Sequence, residues 1–136
     1  MRVVLIANPH ASRFSGRQRD RVVATLAAGH KVEVLQTGHP GQATELAGQA
    51  VAGGAEVVAV LGGDGTVNEV VNGLGDEAVL LGLLGGGRAN VLARGLGLPA
   101  DPDRAAARTP ARDRRRRPGR PRRSGAACRS APSARR

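Results

Sequence analysis

The chain has 136 residues, enough for one folded domain of ordinary size, and its formal net charge is +10 at pH 7. It contains one cysteine and one aromatic residue. These counts exclude a disulfide framework, a Cys/His metal site and the aromatic stacking platforms that bind single-stranded nucleic acid.

Strands and helices are predicted to alternate over the first hundred residues. Short runs of apolar and β-branched residues indicate strands, and apolar residues that recur every three or four positions indicate helices. The predicted elements are, in chain order, strand 3–7, helix 15–28, strand 31–36, helix 42–52, strand 57–61, a helix that starts at Thr66, strand 79–84 and helix 89–96. This alternation predicts a three-layer α/β fold, in which helices cover both faces of a parallel sheet.

Two of the helices are predicted to begin with a capping box. One box consists of Ser15 and Gln18, and the other of Thr66 and Glu69. In a capping box, the first side chain accepts a hydrogen bond from the backbone of the fourth residue, whose own side chain reaches back. Glu69 is accounted for by this box alone. The helix after Thr66 is predicted to bury Val67, Val70, Val71 and Leu74.

The turn after strand 57–61 contains three glycines around one carboxylate, Asp64. Gly62, Gly63 and Gly65 leave the backbone N–H groups open to a bound phosphate, and the helix N-terminus adds a partial positive charge. A carboxylate beside phosphate is repelled unless a divalent cation bridges the two, or unless the carboxylate accepts a proton from the substrate. The turn therefore predicts a phosphate or nucleotide site, with Asp64 in a magnesium-binding or general-base role.

Three segments match a known set of motifs in order and spacing. Residues 4–9 are Val-Leu-Ile-Ala-Asn-Pro, residues 62–73 are Gly-Gly-Asp-Gly-Thr-Val-Asn-Glu-Val-Val-Asn-Gly, and residues 83–94 are Leu-Leu-Gly-Gly-Gly-Arg-Ala-Asn-Val-Leu-Ala-Arg. Together they resemble the diacylglycerol kinase catalytic domain family of bacterial lipid kinases, to which sphingosine kinases are more distantly similar. NAD kinases and phosphofructokinases share the Gly-Gly-Asp-Gly turn, but residues 89–94 are more similar to the lipid kinases. The resemblance covers residues 2 to about 102.

The resemblance implies the nucleotide-binding part of a lipid kinase, with a Rossmann-like, phosphofructokinase-like fold. Such a kinase uses ATP and Mg²⁺ to phosphorylate a lipid hydroxyl, for example that of diacylglycerol or of a sphingoid base. Asp64 is then implied to be both a catalytic residue and a metal ligand. The residues implied to bind the nucleotide are Asn8, Gly62, Gly63, Gly65, Thr66, Glu69, Gly86, Gly87, Arg88 and Asn90.

The chain departs from the family pattern at two positions in the second glycine loop. Members of the family usually have proline where Gly85 stands, and serine or threonine where Arg88 stands. The hydroxyl is expected to hold phosphate, so Arg88 either pairs with phosphate in its place or obstructs the cleft. Without the resemblance, Asn90 is interpreted as a helix N-cap and Arg94 as a solvated helix residue.

The segment after the predicted domain differs sharply in composition. From Asp101 onward there are 13 arginines and three aspartates, but no Val, Ile, Leu, Met or aromatic residue. Since nothing there offsets the entropy of ordering the chain, we predict a domain over residues 1–102 and a disordered Arg/Pro-rich tail over residues 103–136. We hypothesise that this tail is a frameshifted reading of GC-rich coding sequence. The family's β-rich second domain is then missing, and we expect the chain to be inactive alone.

Other functional interpretations stay open at this point. The chain is also consistent with a non-catalytic nucleotide-binding module or a fragment of an NAD-kinase-like enzyme, and the arginine tail with a binder of nucleic acid or acidic membranes. We expect no specific nucleic-acid partner. Without an apolar run of transmembrane length or a signal peptide, we expect a cytoplasmic location, with peripheral contact at the inner membrane face. The three histidines are predicted to lie on the surface, with His10 near the cleft.

Overall fold

The computed structural model describes residues 1–88 and 90–109, over which strands and helices alternate as predicted. The elements are β1 (Arg2–Ala7), α1 (Gly16–Ala27), β2 (Lys31–Gln36), α2 (Gln42–Ala52), β3 (Val57–Leu61), α3 (Asp64–Leu74), β4 (Leu80–Leu83), α4 (Val91–Gly95) and α5 (Pro102–Ala106). Within these residues, no helix has the length and hydropathy needed to span a membrane.

The four strands form one parallel sheet in the order β2-β1-β3-β4. The central strands β1 and β3 are apolar and almost entirely buried, as expected for strands that are covered on both faces. Because the strands are parallel, the loops after β1, β2 and β3 all emerge at the same edge of the sheet. This arrangement confirms the predicted α/β architecture.

Each face of the sheet carries its own apolar cluster. On one face, side chains of β1 and β3 pack with α1 and α5, through residues such as Leu5, Val22 and Ala106. On the other face, they pack with α2 and α3, through residues such as Ile6, Leu46 and Val70. The helices therefore form two outer layers around the sheet, which confirms the three-layer prediction.

The predicted start of helix α1 is confirmed in part. The Ser15 hydroxyl accepts a hydrogen bond from the backbone N–H of Gln18 at 3.1 Å. The reciprocal half of the capping box does not form, because the Gln18 Oε1 atom is buried without a hydrogen-bond partner among the described residues. Ser15 is thus the N-cap, and Gln18 supplies only its backbone.

The start of helix α3 differs from the prediction. The helix begins at Asp64, two residues before the predicted capping box, and its N-cap is Gly63. The two side chains of the predicted box have other partners: the Thr66 hydroxyl accepts from the side-chain amide of Asn8, and the Glu69 carboxylate accepts from the backbone N–H of Gly41. Tertiary contacts have therefore taken both groups away from local capping.

The buried face of α3 also differs at one position. Thr66, Val70 and Leu74 are buried, and Val67 is partly buried, but Val71 is 43% exposed. The three buried residues are spaced four apart and lie on one side of the helix, whereas Val71 is rotated by about 100° from Val70. The stripe that faces α2 and the sheet is therefore narrower than the apolar pattern predicted.

The predicted tail begins with an ordered helix. Pro102–Ala106 form α5, which packs against α1 and β4, and Ala105 and Ala106 are buried in the core. The Thr25 hydroxyl donates a 2.5 Å hydrogen bond to Asp103. The prediction of disorder from residue 103 is therefore wrong for α5, because small alanine side chains are enough to fill the space beside α1. Residues 110–136, which hold most of the predicted tail, lie outside the described residues.

Candidate functional site

An open groove with a volume of about 550 Å³ lies at the edge of the sheet where the strands end. The loops that follow the first three strands form its walls together with the start of α3 and the second glycine loop, residues 85–88. The lining residues are Asn8, His10, Ala11, Ser12, Thr37, Gly38, His39, Pro40, Gly63, Asp64, Gly65, Thr66, Glu69, Gly87 and Arg88.

The two glycine loops touch through their backbones at the floor of this groove. The Gly86 N–H donates a hydrogen bond to the Gly62 carbonyl at 2.8 Å. A Cβ atom on Gly87 would lie 2.7 Å from the Cα atom of Gly63, closer than any side chain tolerates. Glycine is required for this approach. The structure therefore brings the two predicted motifs together.

Asp64 connects the first glycine loop to the helix that follows the second. Its side chain is exposed, and Oδ1 accepts a hydrogen bond from the backbone N–H of Val91 at 2.8 Å. Val91 is the first residue of α4, and the side chain of the N-cap residue makes no capping hydrogen bond to this helix. Asp64 thus satisfies an N–H group that a helix terminus would otherwise leave unpaired. Its second carboxylate oxygen is not used in this contact.

Asn8 links the loop after β1 to helix α3. Its side-chain amide donates to the Thr66 hydroxyl at 3.0 Å, and its Oδ1 atom accepts from the backbone N–H of His10 at 2.9 Å. Its own backbone N–H donates to the carbonyl of Leu61 at 2.9 Å. Asn8 and Thr66 line the groove, and each side chain makes at least one hydrogen bond within the protein.

Gly62 has a packing role rather than an exposed position. It is buried, and a Cβ atom there would lie 2.9 Å from the Cβ and hydroxyl of Thr66. By contrast, Gly65 is exposed and has open space around it. Of the glycines in the first loop, Gly63 and Gly65 line the groove.

Asn90 closes the second glycine loop from within. Its Oδ1 atom accepts from the Gly87 N–H at 3.1 Å, and its side-chain amide donates to the Gly87 carbonyl at 2.8 Å. It occupies the N-cap position of α4 with a φ of 47°, but its side chain does not cap the helix. A Cβ on Gly85 would lie 2.8 Å from this amide, so a side chain there would require the end of the Asn90 side chain to shift. Gly62, Gly86 and Asn90 thus shape the site from behind its lining.

Glu69 lines the groove and bonds to the loop between β2 and α2. Its Oε1 atom accepts a hydrogen bond from the backbone N–H of Gly41 at 3.1 Å. Gly41 ends the loop between β2 and α2, which forms one wall of the groove. The sequence suggested a local partner for this carboxylate, and the structure supplies a distant one.

Arg88 is exposed on the lining of the groove. It takes no part in the ion pairs of the described residues, which join Arg2 to Glu33 and Arg19 to Asp20. A guanidinium offers several planar donors that match the geometry of phosphate. Arg88 therefore adds a fixed positive charge to a wall that is otherwise made of glycine backbone.

Sequence reasoning missed part of the lining. Thr37, His39 and Pro40 belong to the loop after β2, and His10 to the loop after β1. His10 and His39 are exposed as predicted and both line the groove, although only His10 was predicted to lie near the cleft, whereas His30 is partly buried. The available signal was their place directly after predicted strands, because adjacent parallel strands end at one edge.

The described residues alone do not form a complete metal cage. Residues 1–88 and 90–109 contain no group of three or more His, Cys, Asp or Glu side chains that could hold a metal ion. Mg²⁺, however, is commonly bound by one or two carboxylates together with substrate phosphates and waters. The second oxygen of Asp64 fits this kind of ligand, so the site is compatible with a cation that arrives with a nucleotide.

Comparisons with known proteins agree with the motifs and the fold. The family model of the diacylglycerol kinase catalytic domain matches residues 2–118, which extends past the predicted boundary at 102. The protein named probable lipid kinase YegS-like from Chromohalobacter salexigens is 42% identical over 88 residues. The match covers 62% of this chain and 28% of that protein. A diacylglycerol kinase from Bacillus subtilis is 39% identical over 104 residues, with coverages of 74% and 34%.

Solved structures give the same result. The crystal structure of a diacylglycerol kinase from Bacillus anthracis str. Sterne superposes with a TM-score of 0.71 at 33% identity, over 78% of this chain and 40% of that chain. The chain therefore spans only between 28% and 40% of the length of these relatives. From residue 2 to residue 118, this chain belongs to the diacylglycerol kinase catalytic domain family.

Proposed function

We propose that this domain binds ATP in the groove and forms the nucleotide-binding part of a lipid kinase. The observation that carries the proposal is the backbone contact between the two glycine loops beside the start of α3. In a protein of its relatives' length, the γ-phosphate of ATP would be transferred to a lipid hydroxyl, such as that of diacylglycerol or of a sphingoid base. We further propose that this step takes place in peripheral contact with the cytoplasmic membrane face.

The start of α3 is the proposed phosphate position. The helix has 11 residues, and its N-cap, Gly63, makes no side-chain capping bond. The first backbone N–H groups of the helix therefore remain available, and they carry the positive end of the helix dipole. Gly63 and Gly65 bring no side chain between these groups and a bound phosphate, and Arg88 faces the same space.

Asp64 is the proposed carboxylate for a nucleotide-borne Mg²⁺. Bound there, the cation would neutralise charge on the phosphates. The chain itself holds Asp64 in place through Val91, and this contact fixes one carboxylate oxygen while the other stays available. The Asn8–Thr66 hydrogen bond joins the loop after β1 to α3, and Asn90 closes the second glycine loop through hydrogen bonds to Gly87. In this proposal they position the backbone and do not bind phosphate.

A titration with ATP and Mg²⁺, monitored by amide chemical shifts, tests nucleotide binding. We expect shifts at residues 62–66 and 86–90, the two loops that meet in the groove. Gly63→Val should abolish the response, because a branched side chain would occupy the phosphate position. Gly16→Ala is the matched control, since Gly16 lies outside the groove and has open space around it. A folded chain in which neither loop responds would contradict the proposal.

The transfer step needs a separate assay. Formation of labelled lipid phosphate from γ-labelled ATP and mixed micelles is expected to depend on Asp64, in a protein of the relatives' length. Asp64→Asn keeps an oxygen that accepts from Val91 but removes the charge that a cation requires. Product formation that is unchanged in Asp64→Asn would overturn the proposed role of this carboxylate.

A further inference from the structure

We propose that Glu69 is a positioning residue that holds one wall of the groove and does not touch phosphate or metal. It acts through the β2–α2 loop, residues 37–41, of which Thr37, Gly38, His39 and Pro40 line the groove. The inference rests on the proposed binding of ATP. It states that Glu69 fixes the shape of the ATP site through this loop.

The contact that carries the inference spans 28 residues of sequence. The Gly41 N–H donates to Glu69 Oε1 at 3.1 Å. The other hydrogen bonds from this loop to neighbouring elements go to β1 or to α2: the Thr37 N–H donates to the Ala7 carbonyl at 3.0 Å, and the Gly38 N–H donates to Gln42 Oε1 at 2.5 Å. Among the described residues, Gly41–Glu69 is therefore the hydrogen bond that ties this loop to α3.

The position of Gly41 gives this contact a physical reason. Gly41 is the N-cap of α2, it has a φ of 86°, and it carries no side chain that could cap the helix. The carboxylate of Glu69 thus lies at a helix N-terminus that lacks its own cap, where the helix dipole favours a negative charge. Beside it, the Thr44 hydroxyl donates to the Glu69 carbonyl at 3.0 Å and holds α2 against α3.

Helix geometry separates Glu69 from Asp64. Glu69 follows Asp64 by five residues on α3, which corresponds to a rise of about 7.5 Å along the helix axis. Two carboxylates with that spacing do not lie on one side of a helix as neighbouring pairs do, which are three or four residues apart. This spacing favours a cation at Asp64 alone and leaves Glu69 to the loop.

Without the Gly41–Glu69 hydrogen bond, which we call the tether, the loop would be free to move before the nucleotide binds. Ordering one backbone residue costs about 1–2 kcal/mol, so a loop that must be ordered on binding weakens affinity by about tenfold for each such residue. We therefore expect Glu69→Ala to raise the Kd for ATP about tenfold. Glu69→Gln keeps an oxygen that accepts from Gly41, so its Kd should stay within about threefold of the parent value.

The experiment measures the Kd for Mg·ATP and the exchange rate of the Gly41 amide in the free protein. Glu69→Ala should speed this exchange, and Glu69→Gln should restore protection together with affinity. Glu56→Ala is the matched control: Glu56 Oε2 also accepts from a backbone N–H, that of Arg2 at 2.9 Å, but at the opposite end of the sheet. We expect it to change neither measurement.

The outcomes separate this inference from the proposed function. If Glu69→Gln binds as weakly as Glu69→Ala while Gly41 stays protected, Glu69 contacts the cation or phosphate and the positioning role is overturned. Parent-like affinity in Glu69→Ala overturns it as well. A parent chain that binds no ATP refutes the proposed function and the effect on affinity, whereas faster Gly41 exchange in Glu69→Ala would still support the tether.

Discussion

Three polar side chains in and behind this groove accept hydrogen bonds from backbone N–H groups of the protein. Asp64 accepts from the first N–H of α4, Asn90 closes the loop at Gly87, and Glu69 accepts from Gly41. The sequence predicted a ligand-binding role for each of these three side chains. Near α3 the groove is therefore lined by glycines 63, 65 and 87 and by side chains that already have partners within the protein, with Arg88 as an added positive charge.

Arg88 gives a prediction at the scale of one residue. If its guanidinium pairs with phosphate, Arg88→Ala should weaken ATP binding about fivefold to tenfold, since hydrogen bonds to charged groups are stronger than neutral ones. Arg88→Lys should recover part of this loss, because lysine keeps the charge but not the planar donors. Isothermal titration at two salt concentrations measures both effects.

The control for Arg88 is Arg94→Ala. Arg94 is exposed on α4 and does not line the groove, so its loss should leave ATP affinity unchanged. Tighter binding in Arg88→Ala would show instead that the side chain obstructs the cleft.

At the scale of elements, helices α2 and α3 approach each other unusually closely. A Cβ atom on Gly73 would collide with the backbone carbonyl of Thr44, whereas a Cβ on Gly48 would meet the Gly73 carbonyl at an ordinary 3.8 Å. The Thr44 hydroxyl also donates to the Glu69 carbonyl at this crossing. The crossing thus sets the distance between the α3 end of the groove and the loop that faces it.

The two glycines at the crossing should respond differently to substitution by alanine. Gly73→Ala should lower the free energy of unfolding by roughly 1–3 kcal/mol, because an inserted methyl group forces packed elements apart. Gly48→Ala should leave it unchanged or raise it by about 0.5–1 kcal/mol through better helix propensity. Urea unfolding measures both values, and equal stabilities of the two variants would contradict the close approach at Gly73.

At the scale of the whole molecule, α5 completes the layer that α1 begins. It packs on α1 and β4 with Ala105 and Ala106 in the core, on the face of the sheet opposite α2 and α3. The match to the family model, which runs to residue 118, also includes this helix. The folded unit therefore extends beyond the apolar part of the sequence.

Adjacent alanines test whether α5 is part of the folded unit. Ala106→Asp would place an unpaired charge in the core, and we expect it to lower the free energy of unfolding by about 2–4 kcal/mol. Ala107→Asp places the same group on the exposed side, and its effect should stay within about 1 kcal/mol. Thermal and urea unfolding distinguish the two, and similar stabilities would show that α5 does not pack in solution.

The sequence by itself determined the order and nature of the elements up to α4. Short apolar and β-branched runs such as Val57–Leu61, bounded by glycine, favour buried strands over helices, and the structure forms a strand there. It also indicated both glycine loops, each directly after a predicted strand, and the loops meet because parallel strands end at one edge of the sheet. These features depend on neighbours in sequence and on the rule of parallel pairing.

Only the tertiary structure decided the partners of polar side chains and the extent of the fold. Thr66 and Glu69 have the spacing of a capping box, but their side chains accept hydrogen bonds from Asn8 and Gly41, which are distant in sequence. Likewise, the alanines of α5 are buried because they fit the space beside α1 and β4. Hydrogen-bond partners and the packing of small residues depend on which surfaces come into contact, and local sequence does not specify those contacts.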